Sequence, residues 1–186
     1  MTAIAGLVYD NTVWIGGDSA AVGGYNLTVR ADQKVFQNRD MLFGFTSSFR
    51  MGQLLQYDLK IPLQSDADSI EKYLSTTFMC AVRETLKQGG YAKKNSDAEE
   101  GGSFLLGYRG RLFIIDTDYQ VGEAICNYDS LGCGSDIVKG SLYSTQDIGD
   151  PEKRIITALE AAENHSAGVR RPFVVRSLKG WSIHEN

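Results

Sequence analysis

Two helical blocks, each bracketed by strand-forming sequence, constrain this chain more than any single residue does. Alternating apolar runs at Thr2–Tyr9, Thr12–Asp18, Leu27–Val35 and Met41–Phe45 come first. A helix then follows a cap at Ser47 or Ser48 and carries Met51, Leu54, Leu55 and Leu59 at helical spacing. A second begins near DSIE, where Asp68 and Glu71 have about the spacing of a capping box, and stops at Gly89-Gly90. KKNSDAEEGGS reads as a polar, mobile loop. Strand signals return in FLLGYRGRLFIID, a hairpin about Arg109-Gly110, and in EAICNYDSLG. One helix follows GCGSD, and another starts at DPE with Asp150 as cap and Pro151 in its first position. Its Ile155, Ile156 and Leu159 share a face, and FVVRSLKGWSI closes the chain as a strand. Two antiparallel sheets stacked face to face, with a helix pair outside each, would bury all of these apolar faces. The expected fold is therefore α+β, a four-layer αββα sandwich. Its 186 residues show no linker, which predicts one domain over 1–186.

Composition narrows the function. A net charge of −4 without a basic cluster argues against nucleic acid. No apolar run approaches the roughly 20 residues of a membrane span, and the start lacks the basic and apolar regions of a signal peptide. Cys80, Cys126 and Cys133 have no CxxC spacing and leave an odd thiol, as suits a reducing, cytoplasmic protein. With only His165 and His184, a histidine-rich metal site is not expected.

The opening hairpin carries the candidate chemistry. Asp10-Asn11 suits a two-residue turn, so Tyr9 faces Thr12 and Ala3 faces Asp18. Strict alternation would put the Asp18 and Thr2 side chains on opposite faces. A bulge at Gly16-Gly17 is expected to correct this. Removal of Met1 would leave Thr2 with its hydroxyl and a free α-amine on one residue. That amine, with a pKa of about 8, can serve as the base for its own hydroxyl. Lys34, read as part of an alternating strand with Arg30 and Asp32, could stabilise the developing alkoxide. A unit charge at 4 Å is worth about 4 kcal/mol at an effective dielectric of about 20. Asp18 could hold that lysine protonated. Lys34 could equally be a surface lysine paired with Asp32.

Thr2 at the mature start, Asp18 in GGDSAA and Lys34 in ADQKVF together resemble the β-type subunits of the proteasome, including the bacterial peptidase that works beneath an ATPase ring. The likeness continues through LFGFTSSFRMGQLL and YDSLGCGSDIVKGSLY and covers most of the chain. The resemblance implies an N-terminal-nucleophile hydrolase fold and a threonine peptidase that needs no metal or organic cofactor. It implies Thr2 as nucleophile, Asp18 and Lys34 as its charged partners, and the Gly44 N–H as oxyanion donor. Cys133 stands where that family usually has a serine bonding the terminal amine; it could instead be a small core residue. Ser166 matches a further supporting serine. The aspartate expected near it is replaced by the sequence Asn164-His165, and Arg50 stands where an Asp-Ala pair is usual.

The resemblance further implies a homo-oligomeric ring, unfolded polypeptide or peptide substrates, and an ATPase unfoldase ring as partner. Two other readings stand beside the peptidase. Cys133 and the missing aspartate suit a catalytically silent ring subunit, and the same nucleophile would suit a small-molecule amidase.

Overall fold

The computed structural model describes residues 1–95 and 98–180. Strands β1 (Ala3–Tyr9) and β2 (Thr12–Gly17) form the opening hairpin, turning through Asp10 and Asn11, both at positive φ. A second hairpin, β3 (Ala20–Gly23) and β4 (Asn26–Val29), is followed by β5 (Val35–Asn38) and β6 (Met41–Phe45). Helix α1 (Phe49–Gln53), capped by Ser48, continues as a π-helical stretch, Leu54–Asp58. Helix α2 (Ile70–Tyr73) runs through a second π-helical stretch, Leu74–Phe78, into α3 (Met79–Gln88). Strands β7 (Lys93–Asn95), β8 (Ala98–Glu100), β9 (Phe104–Tyr108), β10 (Arg111–Ile115), β11 (Val121–Gly122) and β12 (Tyr128–Gly132) come next. Helices α4 (Ser135–Ser144) and α5 (Pro151–His165) precede β13 (Val174–Lys179).

The strands form two principal antiparallel sheets, ordered β12-β1-β2-β13 and β11-β10-β9-β6-β5. Strand β1 shows why four layers result. Its Ala3, Ala5 and Leu7 pack with Val138 and Leu142 of α4 and Ile155 and Leu159 of α5. Its Ile4 turns the other way, joining Val13, Ile15, Val35, Leu42, Leu105 and Leu112 between the sheets. The far face of the five-stranded sheet sends Phe43, Phe104 and Phe113 against Met51, Leu54, Phe78 and Val82 of the first helical block. Both faces of each sheet are covered, so a strand with both faces apolar is stable here. The αββα sandwich expected from the order of elements is the observed fold.

Several local expectations are corrected. Leu27–Val35 is not one strand: β4 ends at Val29, and Arg30 clamps Asp32 at 2.6 and 2.7 Å, closing a turn. Lys34 therefore lies outside any alternating strand, directly before β5. Pairing of β1 with β2 runs unbroken from Tyr9↔Thr12 to Ile4↔Gly17, so Gly16-Gly17 forms no bulge. Those glycines are small because the layers close on them. A Cβ at Gly16 would collide with Ile155 of α5, and one at Gly17 would come within 2.8 Å of Ile4.

Part of the polar stretch after Gly90 pairs instead of looping, with Lys93 opposite Glu100 and Lys94 opposite Glu99; Ser96 and Asp97 lie outside the described residues. The cap before α2 is Ser69, which accepts from the Lys72 N–H, while Asp68 pairs with Lys72 and Glu71 with Arg111. Within EAICNYDSLG only Tyr128–Gly132 is strand. The last strand ends at Lys179; the expected extension through Trp181 to Ile183 lies outside the described residues. Arg50 donates to the Gly89 carbonyl at the end of α3, which gives it a local structural task. Among the described residues no helix is long and apolar enough to cross a membrane.

Candidate active site

The starts of β1 and β3 and the ends of β2 and β6 meet at one end of the sandwich. There Thr2, Asp18 and Lys34 are all buried, at 5%, 2% and 2% exposure. Strand β2 stops at Gly17, which frees Asp18 from the alternation of the ladder. Its carboxylate accepts from the Ala3 N–H at 3.0 Å, the Ala20 N–H at 2.9 Å, the Arg170 N–H at 3.2 Å and the Lys34 ammonium at 2.7 Å. Asp18 thus ties the strand that begins after Thr2 to the lysine, without a bulge. Asp32, the alternative partner for Lys34, is held by Arg30 instead. Burial pushes the Lys34 ammonium below the ordinary lysine value, and the Asp18 carboxylate beside it opposes that shift.

On the other side of Thr2, its N–H donates to the Cys133 Sγ at 3.3 Å. Cys133 follows the left-handed Gly132, at φ 95, whose missing Cβ leaves room for the Thr2 carbonyl. The thiol is exposed, so it is not the small core residue that was the other reading. Ser166, the residue that ends α5, brings its Oγ to 3.4 Å from the same sulfur. Neighbouring Asn164 and His165 are exposed, and the Asn164 amide bonds back to Glu160. With Met1 attached, the Thr2 Oγ1 donates to the Met1 carbonyl at 2.6 Å, and the Thr2 nitrogen is an amide.

A cleft of about 110 Å3 opens over this group. With Met1 attached it is lined by Met1, Thr2 and Lys34 together with β3, Phe45, Phe49 and the turn between them. Gly44 is not among its lining residues. Pairing explains why. The Phe45 N–H reaches the Lys34 carbonyl on the β5 side, while the Thr46 N–H reaches Ser103 on the β9 side. By the same alternation Gly44, opposite Leu105, directs its N–H into the β9 ladder. A Cβ there would lie 2.5 Å from Ile15 and 2.7 Å from Ile4, so the glycine serves the closeness of the two sheets. From the sequence Ser47 is a candidate cap within a pocket-lining segment, Phe45–Arg50, with no catalytic role assigned to it. It lines the cleft at φ 70, and among the described residues its N–H has no partner. Nothing in TSSF announces that left-handed conformation.

The site brings together Thr2, Asp18, Lys34, Cys133 and Ser166, and leaves Gly44 in the sheet. No family model matches the chain, and no curated protein matches it. Solved structures do. BPH from Thiobacillus denitrificans, in complex with epoxomicin, matches with a TM-score of 0.81 at 17% identity, over 97% of this chain and 100% of that one. The eukaryotic HslV from Trypanosoma brucei matches at 0.70 and 19% identity, over 96% of this chain and 99% of that one. Anbu, an ancestral β-subunit from Yersinia bercovieri, matches at 0.65 and 16% identity, over 95% of this chain and 81% of that one. The chain has the proteasome-like N-terminal-nucleophile hydrolase fold that these structures share.

Proposed function

We propose that this chain, as one domain over 1–186, is a threonine-type peptidase whose nucleophile is Thr2 once Met1 has been removed. The carrying observation is the buried Asp18–Lys34 pair, which lines the same cleft as Thr2 through its lysine and anchors the next residue through its carboxylate. The Thr2 hydroxyl attacks the scissile carbonyl carbon and its proton passes to the free α-amine. That amine then protonates the departing peptide nitrogen. Water, deprotonated by the same amine, cleaves the resulting ester and restores the hydroxyl. The Lys34 ammonium favours the alkoxide character that develops at Oγ1.

The oxyanion donor in this reading is the Ser47 N–H rather than that of Gly44. Its support is its unpartnered state and its place two residues after Phe45, whose own N–H is directed to Lys34. Cys133 holds the terminal amine, and Ser166 holds the Cys133 thiol. Similarity to BPH, HslV and Anbu in fold, together with the sequence likeness to proteasome β-type subunits, supports a cytoplasmic homo-oligomeric ring. By the same reasoning its substrates are unfolded polypeptides delivered by an ATPase unfoldase ring. Exposed Tyr25, Leu27 and Val29 on the β3–β4 hairpin offer apolar surface for ring contacts.

One observation favours a silent ring subunit instead: a thiol, a weak hydrogen-bonding group, is what meets the Thr2 nitrogen. Peptide turnover decides between the two. Protein beginning at Thr2 should hydrolyse peptides, Thr2→Ser should keep part of the activity, and Thr2→Ala or a form with residues fused ahead of Thr2 should have none. No turnover in any of the four would leave the silent subunit as the reading.

A further inference from the structure

We propose that the Cys133 thiol and the α-amine of mature Thr2 form an oxidation site, which hydrogen peroxide closes into a sulfur–nitrogen link that a thiol reductant reopens. Such a link would silence the enzyme. The silencing rests on the peptidase reading above, since the linked nitrogen is the base of that mechanism; the link itself does not. The carrying observation is what surrounds the sulfur. Cys133 Sγ lies 3.3 Å from the Thr2 nitrogen, 3.4 Å from the Ser166 Oγ and 3.5 Å from the Thr2 carbonyl oxygen. Of these, only the nitrogen, once freed, is a good nucleophile.

The contact does not depend on Met1. Ala3 pairs with Gly132, its N–H is held by Asp18 at 3.0 Å, and the Thr2 carbonyl accepts from the Gly134 N–H at 3.3 Å. These bonds fix Thr2 at the start of β1 and fix Cys133 between Gly132 and Gly134. Met1 does crowd the sulfur. A Cβ at Gly168 would collide with Met1 and lie 2.8 Å from Sγ, so Met1 and the thiol share one space. Removing Met1 gives the thiol, already exposed, more room to meet an oxidant. It also turns the neighbouring nitrogen from an amide into an amine.

No second thiol can take the nitrogen's place. Asn127, next to Cys126, bonds with Val8 near the far end of β1, whereas Cys133 lies by Thr2 at the near end. The six residues between span about 20 Å, and a disulfide needs Cα atoms within about 7 Å. Cys80 is in α3, in the helical layer outside the other sheet. Oxidation therefore ends on nitrogen, in two balanced steps. The thiolate sulfur takes one oxygen from peroxide; the O–O bond breaks, the sulfur becomes a sulfenic acid, and the other oxygen leaves as hydroxide. The Thr2 amine lone pair then attacks that sulfur; the S–N bond forms, the S–O bond breaks, and the hydroxyl departs with an amine proton as water. Bound to sulfur, the nitrogen no longer serves as a base.

The test uses protein beginning at Thr2 with Cys80→Ser and Cys126→Ser, which leaves Cys133 as the one thiol of the chain's three. After treatment with hydrogen peroxide, intact mass should show a chain lighter by two hydrogen atoms. A non-reducing tryptic digest should join the peptide that begins at Thr2 to the peptide that contains Cys133. Turnover of a fluorogenic peptide should fall in proportion to the linked fraction and return with dithiothreitol. Cys133→Ser in the same background should lose no hydrogen and keep its own untreated rate. A gain of oxygen without a link, an unchanged mass, or a doubled mass from a disulfide between chains would overturn the proposal while leaving the peptidase reading intact. A link formed in protein that hydrolyses no peptide before oxidation would keep the site and overturn the peptidase reading. Full turnover by linked protein would overturn both.

Discussion

The Lys34 ammonium and the Asp18 carboxylate form an ion pair at 2.7 Å, with 2% and 0% of their side chains exposed. The two partners are unequal. Without Lys34 the carboxylate keeps three backbone N–H donors, whereas among the described residues Asp18 is the only hydrogen-bonding partner of the Lys34 ammonium. Asp18→Asn leaves an unpaired buried cation and should destabilise the fold by about 3–5 kcal/mol. Lys34→Ala leaves a satisfied carboxylate and should cost about 1–3 kcal/mol, yet abolish peptide turnover. Urea unfolding midpoints, with unchanged slopes, check the ranking; a larger loss for Lys34→Ala would contradict it.

The shifted lysine also sets a pH window. Activity should rise as the freed Thr2 amine loses its proton, near pH 8. It should fall again as Lys34 loses its own, below the ordinary lysine value of 10.5. The charges facing Lys34 are Asp18, Asp32 and, when ionised, the Cys133 thiol, all of which oppose the effect of burial. Because folding lowers this pKa, the native state holds fewer protons than the unfolded chain. Stability should then increase with pH between the lowered value and 10.5. A pH profile of kcat/KM tests the catalytic limb: a plateau extending past 10.5 would show that the lysine's charge is not required.

Cys133 should be replaceable. A serine there is a stronger hydrogen-bonding partner for the terminal amine and for Ser166, so Cys133→Ser should match or raise kcat. Cys133→Ala, which removes the contact, should lower it by about two- to tenfold, the equivalent of one hydrogen bond. Turnover measured with matched enzyme concentrations separates the three. A Cys133→Ala enzyme as fast as the Cys133→Ser one would remove the thiol from the machinery.

Gly44 should behave as a packing residue. Gly44→Ala would press a methyl group against Ile4 and Ile15 and destabilise the fold by about 1–3 kcal/mol. Thermal unfolding should show this as a lowered midpoint. A midpoint equal to that of the native chain would mean that the sheets do not meet as closely as described.

Much of this architecture is legible in the sequence because periodicity reports burial. The apolar runs and helical stripes give the order of layers, and Ser48, Asp150 and Pro151 mark helix starts that the structure keeps. What was not legible depends on contacts between distant segments. Arg30, Asp32 and Lys34 look like one face of a strand, but the Arg30–Asp32 clamp turns the chain and sends Lys34 inward. Asp18 needs a bulge only if the strand ladder extends through it, and β2 ends at Gly17. The choice between Gly44 and Ser47 turns on which neighbouring strand receives each N–H, and no single segment encodes that. The β7–β8 pair did leave a signal: lysines on one strand stand opposite glutamates on the other, as cross-strand pairing favours.

The account centres on Thr2, and one measurement reaches it directly. A peptide epoxyketone offers two adjacent electrophilic carbons, which a hydroxyl and an amine on the same residue can both take. Intact mass after incubation with such a reagent should show protein beginning at Thr2, without Met1, carrying one inhibitor per chain. Thr2→Ala should gain no mass and unfold at the same temperature as the native chain. An inhibitor adduct on Thr2→Ala, or none on a chain shown by mass to begin at Thr2, would contradict the assignment of Thr2 as the nucleophile.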